Sequence, residues 1–453
     1  MSERFLFFGC WNSINCEKDD NYLPRDVILE YINKYEKDVE YIFIAGDNWY
    51  ATTFLQYVTG KNIKLYLKDI LISGYYKLYE LGKKIHIAVG NHDEDVGKKD
   101  KDDEKEELKK NCMINTQRHY IQKIIDHISK QSNGNLLRNR TYTNSLGELG
   151  HFRRDDKYPP TLESLKTSND IVVANDKIIK LYVEEIGVTY NDKYIMIVIN
   201  TNYFDLEIKV VNEYLEKIKL IIEKENNSPN RKHLFVMGHI PLFTHKIKKG
   251  KDPISITAIK SDSDIINKFY DILVANKCIY LCADTHNFSI MKITKKGNNL
   301  IQILIQITSG TGGAYPDVIY ENYKQSEITK IENYEISHVS INSFGYSSVN
   351  IDETNNITIS YNNVIKIDNT PGDIYTYDIT DKLELLKYDT RQRSYDDIEK
   401  ITIIINEVNS VGYKKSICKL IKSDDIEAIN KMIVRDHKNE VSCYEKEKDK
   451  IKS

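Results

Sequence analysis

The sequence predicts an α/β protein whose β-sheets are covered by helices, and two observations lead to this fold class. Six short apolar runs each end in glycine or another small residue and continue into polar residues. Segments with the 3.6-residue period of a helix lie between these runs. Strands that alternate with helices along a chain are typical of α/β folds.

The apolar runs are the predicted strands, because each has the length of a buried strand. In chain order they read RFLFFGCWN, EYIFIAGDNWY, KIHIAVGNHDED, YIMIVINTNYFD, HLFVMGHIPLF and CIYLCADTHNF. The first run follows the N-terminus almost directly. We interpret it as a buried strand rather than as the apolar region of a signal peptide.

Three segments carry the predicted helices. The apolar residues of RDVILEYINKYEKD follow the spacing i, i+3, i+4, i+7 of one helix face, at Val27, Ile28, Tyr31, Ile32 and Tyr35. The segments VVNEYLEKIKLIIEKENN and SDSDIINKFYDILVAN repeat this pattern before the fifth and sixth strands. Helices are therefore expected between the strands and against the sheets.

Two further segments lack the strand-then-polar pattern. Residues 95–110 mix both charge signs at high density, which indicates a solvated loop or an exposed helix. We divide the chain into a domain of residues 1–365 and a C-terminal appendage of residues 366–453, whose role the sequence does not indicate. The stretch from Asp397 to Ile433 is expected to form a strand and short helices.

Composition excludes several classes of protein. The chain of 453 residues has a net charge of -3, which argues against nucleic acid as a partner. It contains no apolar run of the ~18 residues that a membrane span needs. Seven scattered cysteines indicate reduced thiols. Because the first apolar run is interpreted as a strand, we expect a cytoplasmic protein, or one packaged in a compartment reached without a signal peptide. Abundant Ile, Asn, Lys and Tyr suggest an AT-rich genome, such as that of a large DNA virus or a protist.

Polar residues that can bind metal follow five of the six predicted strands. They are Cys10, Asp47, Tyr50, Asn91, His92, His239, Asp284 and His286. Each has a simpler explanation by itself, because Gly-Asp pairs often form turns and a single histidine is often a core residue. Together, however, ligands at the carboxyl ends of strands meet in the crevice where α/β sheets bind ligands. Carboxylate, amide and imidazole groups suit divalent and trivalent ions.

The motifs around these residues resemble those of the calcineurin-like metallophosphoesterases. Within that superfamily, FIAGDNWY, AVGNHDED, FVMGHIPLF and YLCADTHNF are most similar to motifs of the purple, tartrate-resistant acid phosphatases. ITSGTGG and FGYSSVNID resemble the closing strands of the family, and the resemblance covers residues 4–365. It implies a two-sheet sandwich flanked by helices, in four layers, with the C-terminal appendage added to it.

The resemblance also implies a centre with two metal ions, either Fe, Zn or Mn. Asp47 would bridge both ions, Tyr50 and His286 would bind the first, and Asn91 and His239 would bind the second. The chain departs from the family pattern at two ligand positions. Cys10 stands where the family has an aspartate on the first ion, and Asp284 where it has a histidine on the second. Asn12 replaces a glycine of the family in the same turn as Cys10.

These departures leave the metal chemistry open at the sequence level. Asp284 can still bind a metal through its carboxylate, whereas Cys10 is either a thiolate ligand that favours zinc or iron or a small buried side chain. A tyrosinate at Tyr50 on ferric iron would colour the protein purple. Because Cys10 replaces an aspartate, we expect a weaker preference for iron than the family has.

Further side chains receive roles in catalysis and substrate binding by resemblance. His92 would contact the phosphate and protonate the leaving alkoxide, and Asp93 would orient His92. Asn91 and His245 complete the predicted substrate contacts. The loops of residues 95–118 and 141–170 would determine specificity, and they match no motif.

Three functions remain open from the sequence. The first is a metal-dependent phosphoester hydrolase, in the simplest case a phosphomonoesterase that uses a hydroxide activated by two metals. Its partner would be a phosphorylated small molecule or a phosphoprotein. The second is a catalytically degenerate relative that acts as a binding or structural module. The third is a phosphodiesterase acting on nucleic acid or cyclic nucleotides. The sequence does not determine the oligomeric state.

Overall fold

The computed structural model describes residues 2–13, 23–48, 50, 74–94, 170–174, 177–182, 186–227, 232–246, 254–256, 263–296, 301–317, 319, 329–368, 370–379 and 385–420. The charged segment 95–110 and the specificity loops, apart from Asp170, lie outside these residues. No helix in the described part of the chain is both long and apolar enough to cross a membrane.

The described residues form strands and helices at the following positions. The strands are β1 (Glu3–Phe8), β2 (Tyr41–Ile44), β3 (Lys84–Ala88), β4 (Asp170–Ala174), β5 (Lys177–Tyr182), β6 (Gly187–Tyr190), β7 (Tyr194–Val198), β8 (His233–Met237), β9 (Phe243–His245), β10 (Ile254–Ile256), β11 (Ile279–Cys282), β12 (Phe288–Lys296), β13 (Ile301–Ser309), β14 (Thr329–Ile331), β15 (Tyr334–Ile341), β16 (Phe344–Ile351), β17 (Ile357–Ile365), β18 (Ile374–Ile379) and β19 (Leu385–Arg391). The α-helices are α1 (Pro24–Tyr35), α2 (Tyr76–Glu80), α3 (Ile208–Asn226), α4 (Ser263–Ala275) and α5 (Tyr395–Leu420).

The strands form two large sheets with parallel centres and antiparallel margins. The first sheet has the order β19-β18-β17-β16-β1-β2-β3-β5-β4, and the second has the order β14-β15-β12-β13-β11-β8-β7-β6. Strands β1, β2, β3 and β5 are parallel, as are β7, β8, β11 and β13. Strands β9 and β10 form a separate two-stranded sheet. The carboxyl ends of the parallel strands therefore meet at one edge of each large sheet.

An apolar core joins the two large sheets face to face. Phe5 and Phe43 of the first sheet pack in one buried cluster with Phe235 and Leu281 of the second. The ring of Phe5 lies 4.8 Å from that of Tyr194 between centroids, and 5.3 Å from that of Phe235. Parallel strands that are covered on both faces are apolar on both faces, which explains the continuous apolar run in β1.

Helices cover the outer faces of the sandwich. The apolar stripe of α3, including Val211 and Ile218, shares a second buried cluster with Phe269 of α4 and with Val236 and Tyr280 of the second sheet. On the first sheet, Tyr31 of α1 packs against Tyr346 of β16 with ring centroids 6.3 Å apart. The predicted α/β fold, a two-sheet sandwich flanked by helices, is confirmed.

The structure contains the strands and helices predicted from the apolar runs and the helical spacing. The six predicted strands correspond to β1, β2, β3, β7, β8 and β11, and the three predicted helices to α1, α3 and α4. The closing strands expected from ITSGTGG and FGYSSVNID correspond to the end of β13 and to β16, whereas the parallel strand β5 and the other antiparallel strands were not predicted. In the C-terminal segment, β18 and β19 extend the first sheet, and the described residues from Asp397 onward lie in the single helix α5. The expected strand is thus absent between Asp397 and Leu420, and the domain boundary at residue 365 stays a prediction.

Candidate metal centre

The predicted ligands lie just beyond the carboxyl ends of parallel strands in both sheets. Cys10, Asp47 and Asn91 follow β1, β2 and β3 of the first sheet. In the second sheet, His239 follows β8, and Asp284 and His286 follow β11. The face-to-face packing of the sheets therefore brings side chains from five strands to one place.

Three of these residues adopt a left-handed backbone conformation. Cys10, Asp47 and Asp284 have φ angles of 51°, 57° and 52°, and they are half of the six non-glycine residues with positive φ in the described chain. This conformation costs an L-residue roughly 1–2 kcal/mol. It is maintained at Cys10 by hydrogen bonds from its N–H to Gly46 O (3.0 Å) and from Ala314 N–H to its carbonyl (2.8 Å). Such concentration of backbone strain is a property of functional sites.

Two glycines permit the close approach of the loops. A Cβ atom on Gly90 would lie 2.2 Å from Asp47 N and 2.3 Å from Asp47 Oδ1. A Cβ atom on Gly46, where φ is +85°, would lie 2.6 Å from His239 Nδ1. Neither position has room for a side chain, so the motif glycines are required by packing against the ligands themselves.

Asp47 lies at the centre of the cluster, and its two carboxylate oxygens face different groups. Oδ2 accepts a hydrogen bond of 2.8 Å from the Tyr50 hydroxyl and lies 3.7 Å from Cys10 Sγ. Oδ1 accepts a hydrogen bond of 3.1 Å from the backbone N–H of His92 and lies 3.2 Å from His239 Nε2. The carboxylate is buried, so its charge has to be balanced by these neighbours.

The first donor group surrounds Asp47 Oδ2. It consists of Cys10, Tyr50 and His286, and the Tyr50 hydroxyl lies 3.2 Å from His286 Nε2. One potential ligand atom from each of Cys10, Asp47 and His286 lies within 4.8 Å of the other two. The Cys10 side chain thus points into the cluster, which the sequence left undecided.

The second donor group surrounds Asp47 Oδ1. His239 Nε2 lies 2.9 Å from Asn91 Oδ1 and 3.8 Å from Asp284 Oδ1. The three oxygens of Asp47, Asn91 and Asp284 therefore converge on one imidazole nitrogen. The structure brings together all seven residues predicted to bind metal, in two groups that share Asp47.

The hydrogen bonds of the two histidines fit metal binding. His239 Nδ1 lies 2.6 Å from the carbonyl oxygen of Ala45, and His286 Nδ1 lies 2.9 Å from that of Tyr315. Because a carbonyl only accepts hydrogen bonds, each Nδ1 carries a hydrogen, and each Nε2 is directed into the cluster. Metal-binding histidines are commonly fixed by such a bond at the other ring nitrogen.

The electrostatics of the cluster favour a bound cation. Burial opposes the charge on Asp47, but His239 and His92 outweigh burial and hold the pKa of this carboxyl well below its usual range. Burial lowers the pKa of His239, but Asp47 and Asp284 overcome this effect and raise it to about 9. The proton on His239 Nε2 thus neutralises these oxygens, and a metal cation would compete for the same place. Burial and the charge of Asp47 raise the pKa of Cys10 and of Tyr50 well above their ordinary values.

A buried hydrogen-bond network fixes the loops behind the ligands. Asn48 Nδ2 donates to Ala88 O (2.9 Å) and to Asp93 Oδ2 (2.9 Å), and Asn48 Oδ1 accepts from Trp11 Nε1 (2.9 Å). Asp93 also accepts from the backbone N–H groups of Asn48 (3.0 Å) and Gly90 (2.7 Å). Burial and the nearby charge of Asp47 raise the pKa of Asp93 to about 8. Asp93 therefore ties the loops after β2 and β3 together, and its orienting effect on His92 stays a prediction.

Asn12 belongs to the same network. Its side chain donates to Asn48 O (3.0 Å) and accepts from the buried guanidinium of Arg25 (2.5 Å). Arg25 in turn pairs with Asp26 at 3.0 Å, and Lys77 pairs with Asp26 at 3.1 Å. Asn12 thus connects the turn after β1 to a buried ion-pair cluster at the start of α1.

The structure places the two predicted substrate-contacting histidines differently. The ring of His92 lies 4.7 Å from that of Tyr50 between centroids, at the edge of the cluster. His245 is buried beside His338, with ring centroids 4.4 Å apart, and its Nδ1 lies 2.9 Å from Ser340 Oγ. His245 is therefore not part of the group around Asp47, and its contact with phosphate stays a prediction.

Several residues that support the site were missed by sequence reasoning. Asp317 Oδ2 accepts the backbone N–H of His286 at 3.0 Å, and Lys246 pairs with the same oxygen at 3.2 Å. Thr201 Oγ1 accepts the N–H groups of His239 (3.2 Å) and Ile240 (3.0 Å). Of Asn48, Asp317 and Thr201, only Asn48 lies inside one of the motifs used to predict the site, FIAGDNWY. Thr201 follows β7 within the run YIMIVINTNYFD, so the rule that polar residues after strands form the site would have found it, whereas Asp317 lies well beyond the end of β13.

Comparison with known proteins gave a similarity of structure only. No family model matches the sequence, and the search of curated proteins found no match. Among solved structures, the chain is similar to the purple acid phosphatase PPD1 isolated from yellow lupin (Lupinus luteus) seeds, with a TM-score of 0.44 and 13% sequence identity. The similarity covers 88% of this chain and 55% of that chain, so this chain spans about half the length of the lupin structure.

Proposed function

We propose that this protein is a metal-dependent phosphoester hydrolase, and in the simplest case a phosphomonoesterase. The observation that carries the proposal is the division of the Asp47 carboxylate between two donor groups. Oδ2 faces Tyr50 at 2.8 Å and Oδ1 faces His239 at 3.2 Å. A carboxylate that offers one oxygen to each group suits a bridge between two cations.

Each residue of the two donor groups has a proposed part in this function. Asp47 would bridge the ions, with Cys10, Tyr50 and His286 on one side and Asn91, His239 and Asp284 on the other. Two such ions, when bound, activate a water molecule and neutralise the charge that develops on the phosphoryl oxygens. Asn91 contributes an oxygen ligand without adding negative charge, and this limits repulsion of an anionic substrate.

His92 is the proposed proton donor to the leaving alkoxide. Its backbone N–H is fixed by Asp47 Oδ1 at 3.1 Å, and its ring packs 4.7 Å from Tyr50. Imidazole is the side chain most often used for general acid catalysis. His92 thus lies beside the shared carboxylate and outside both donor groups, which suits a proton donor at this centre.

The test combines metal content with phosphate release. The chain is loaded with zinc and manganese, and hydrolysis of para-nitrophenyl phosphate and of a panel of nucleotides and phosphopeptides is measured. We expect His92→Asn to lose turnover while it keeps its metal, and Asp47→Asn to lose both. His233→Asn is the matched control, because His233 begins the strand that ends before His239. Turnover by Asp47→Asn at the wild-type rate would refute the proposal.

A catalytically inactive binding module is the second candidate, and one observation favours it. The shared carboxylate interacts with Tyr50, His239 and the N–H of His92, all groups of the protein itself. A cluster that is stable by itself could persist in a relative that no longer catalyses hydrolysis. This candidate predicts no hydrolysis of any phosphoester in the panel, even when both ions are bound.

A further inference from the structure

The two donor groups around Asp47 differ in chemical character. The group at Oδ2 contains a sulfur atom from Cys10, a nitrogen atom from His286 and the hydroxyl oxygen of Tyr50. The group at Oδ1 contains oxygen atoms from Asn91 and Asp284 with a nitrogen atom from His239. Cys10 and Asp284 both contribute to this contrast, because Cys10 adds sulfur to the first group and Asp284 adds oxygen to the second.

The Cys10 side has the donor set of a zinc site. Cys10 Sγ lies 3.7 Å from Asp47 Oδ2, and these atoms form one group with His286, within 4.8 Å of one another. Thiolate, imidazole and carboxylate are the ligands that zinc takes, and catalytic zinc has three protein ligands and one open position. The backbone of Cys10 is held at φ 51°, and its sulfur lies in one group with Asp47 and His286.

The Asp284 side has the donor set of an oxygen-preferring ion. Asp284 Oδ1 lies 3.8 Å from His239 Nε2, and Asn91 Oδ1 lies 2.9 Å from the same nitrogen. With Asp47 Oδ1, three oxygens and a single nitrogen converge here. Carboxylate and carbonyl oxygens suit manganese and magnesium, whereas a histidine in place of Asp284 would increase the preference for zinc.

The charges of the two groups agree with two divalent ions. The Cys10 thiolate and the carboxylates of Asp47 and Asp284 would supply three negative charges against the four positive charges of two divalent cations. A trivalent ion is not needed for neutrality, and a thiolate in the donor set favours zinc over ferric iron.

We propose that the centre holds two different ions, zinc between Cys10 and His286 and manganese or magnesium between Asn91 and Asp284, with Asp47 shared. The inference rests on the two-metal centre of the proposed function and adds which ion each half selects. Cys10 and Asp284 are the residues that determine this selection. Tyr50 then contacts a zinc-containing half, where it gives no visible colour.

The first experiment measures the ions themselves. The full chain is produced in medium containing zinc, manganese, magnesium and iron, purified without chelators, and analysed by mass spectrometry for metal content. We expect about one zinc and about one manganese or magnesium ion per chain, and a colourless protein. In Cys10→Asp the zinc in that half should be replaced by an oxygen-preferring ion. In Asp284→His the second ion should become zinc. Aspartate tolerates positive φ, so Cys10→Asp is expected to fold.

The second experiment tests the sulfur ligand directly. Reconstitution with cobalt gives a near-ultraviolet charge-transfer absorption when a thiolate binds the ion. This absorption should be present in the wild type and lost in Cys10→Ser. The matched control is Cys278→Ser, which changes another fully buried cysteine and should keep the absorption.

The outcomes separate this inference from the proposed function. The same ion in both halves, stoichiometric iron with a visible tyrosinate absorption, or a cobalt spectrum that survives Cys10→Ser would each overturn the inference. Hydrolysis by a protein with identical ions would leave the proposed function standing while refuting the selection. Conversely, zinc with manganese or magnesium bound as expected, but no hydrolysis, would support the inference and refute the proposed function.

Discussion

Asn48 offers the sharpest test of how the loops behind the centre are held. Its side chain makes three buried hydrogen bonds, to Trp11 Nε1, Ala88 O and Asp93 Oδ2, each 2.9 Å long. Asn48→Ala removes all of them and leaves these three groups without the Asn48 amide. A buried polar group that loses its hydrogen bond costs about 1–3 kcal/mol. Taking about 1 kcal/mol for each bond, we expect a loss of about 3 kcal/mol in the free energy of unfolding.

The substitution should also weaken metal binding, since Asn48 is the neighbour of Asp47. Loss of groups that orient metal ligands typically lowers affinity by roughly 10–100-fold. The assays are urea denaturation of the metal-free chain and competitive zinc titration against a chromophoric chelator. Asn212→Ala is the control, because Asn212 makes an exposed hydrogen bond with Lys268. Equal stability losses in the two variants, or unchanged zinc affinity in Asn48→Ala, would refute the reasoning.

Two further predictions concern packing at the centre and the pH dependence of stability. Gly90→Ala places a methyl group 2.2 Å from Asp47 N. The amount of bound metal, measured by mass spectrometry, should therefore fall sharply, while circular dichroism should still show a folded chain. Full metal content in this variant would contradict the prediction. Burial lowers the pKa of His245 to about 4 and that of His338 to about 3, so both remain neutral in the folded chain while the unfolded chain gains protons below pH ~6.5. Their contribution to stability is therefore present above pH ~6.5 and lost as the pH falls towards 4. In urea titrations, His338→Asn should reduce the stability difference between pH 7 and pH 5 by about 2 kcal/mol, and an unchanged difference would rule out this cause.

The sequence was sufficient for most of the parallel centre of the fold, with β5 missed. Each of the six predicted strands is a short apolar run that is buried on both faces, and this produces a signal that needs no knowledge of neighbours. The helices α1, α3 and α4 were predictable for a similar reason, because one apolar face repeats every 3.6 residues. The marginal strands are not continuous apolar runs. In β15, for example, buried and partly exposed residues alternate at positions 334–337, so only one face of the strand is apolar and its position depends on its partner strands.

The residue types of the centre were likewise available from the sequence. Asp47, Asn91, His239, Asp284 and His286 each follow a predicted strand, and strand ends meet in α/β folds. What the sequence could not give was the direction of each side chain. Cys10 might have been a core residue, and only its backbone angle of 51° and its contact with Asp47 place the sulfur in the cluster. His245, which follows a motif histidine closely, lies instead beside His338.

The sequence by itself thus determined which chemical groups this protein can bring to one edge of its sheets, since apolar runs, motif glycines and polar ends are local properties. The tertiary structure decided how these groups are divided. One carboxylate oxygen of Asp47 faces the group that contains the Cys10 sulfur, and the other faces the group that is rich in oxygen. The rings of His239 and His286 are fixed by hydrogen bonds to the carbonyls of Ala45 and Tyr315. Every residue has a backbone carbonyl, so no sequence pattern marks those two. Their position depends on how distant segments pack.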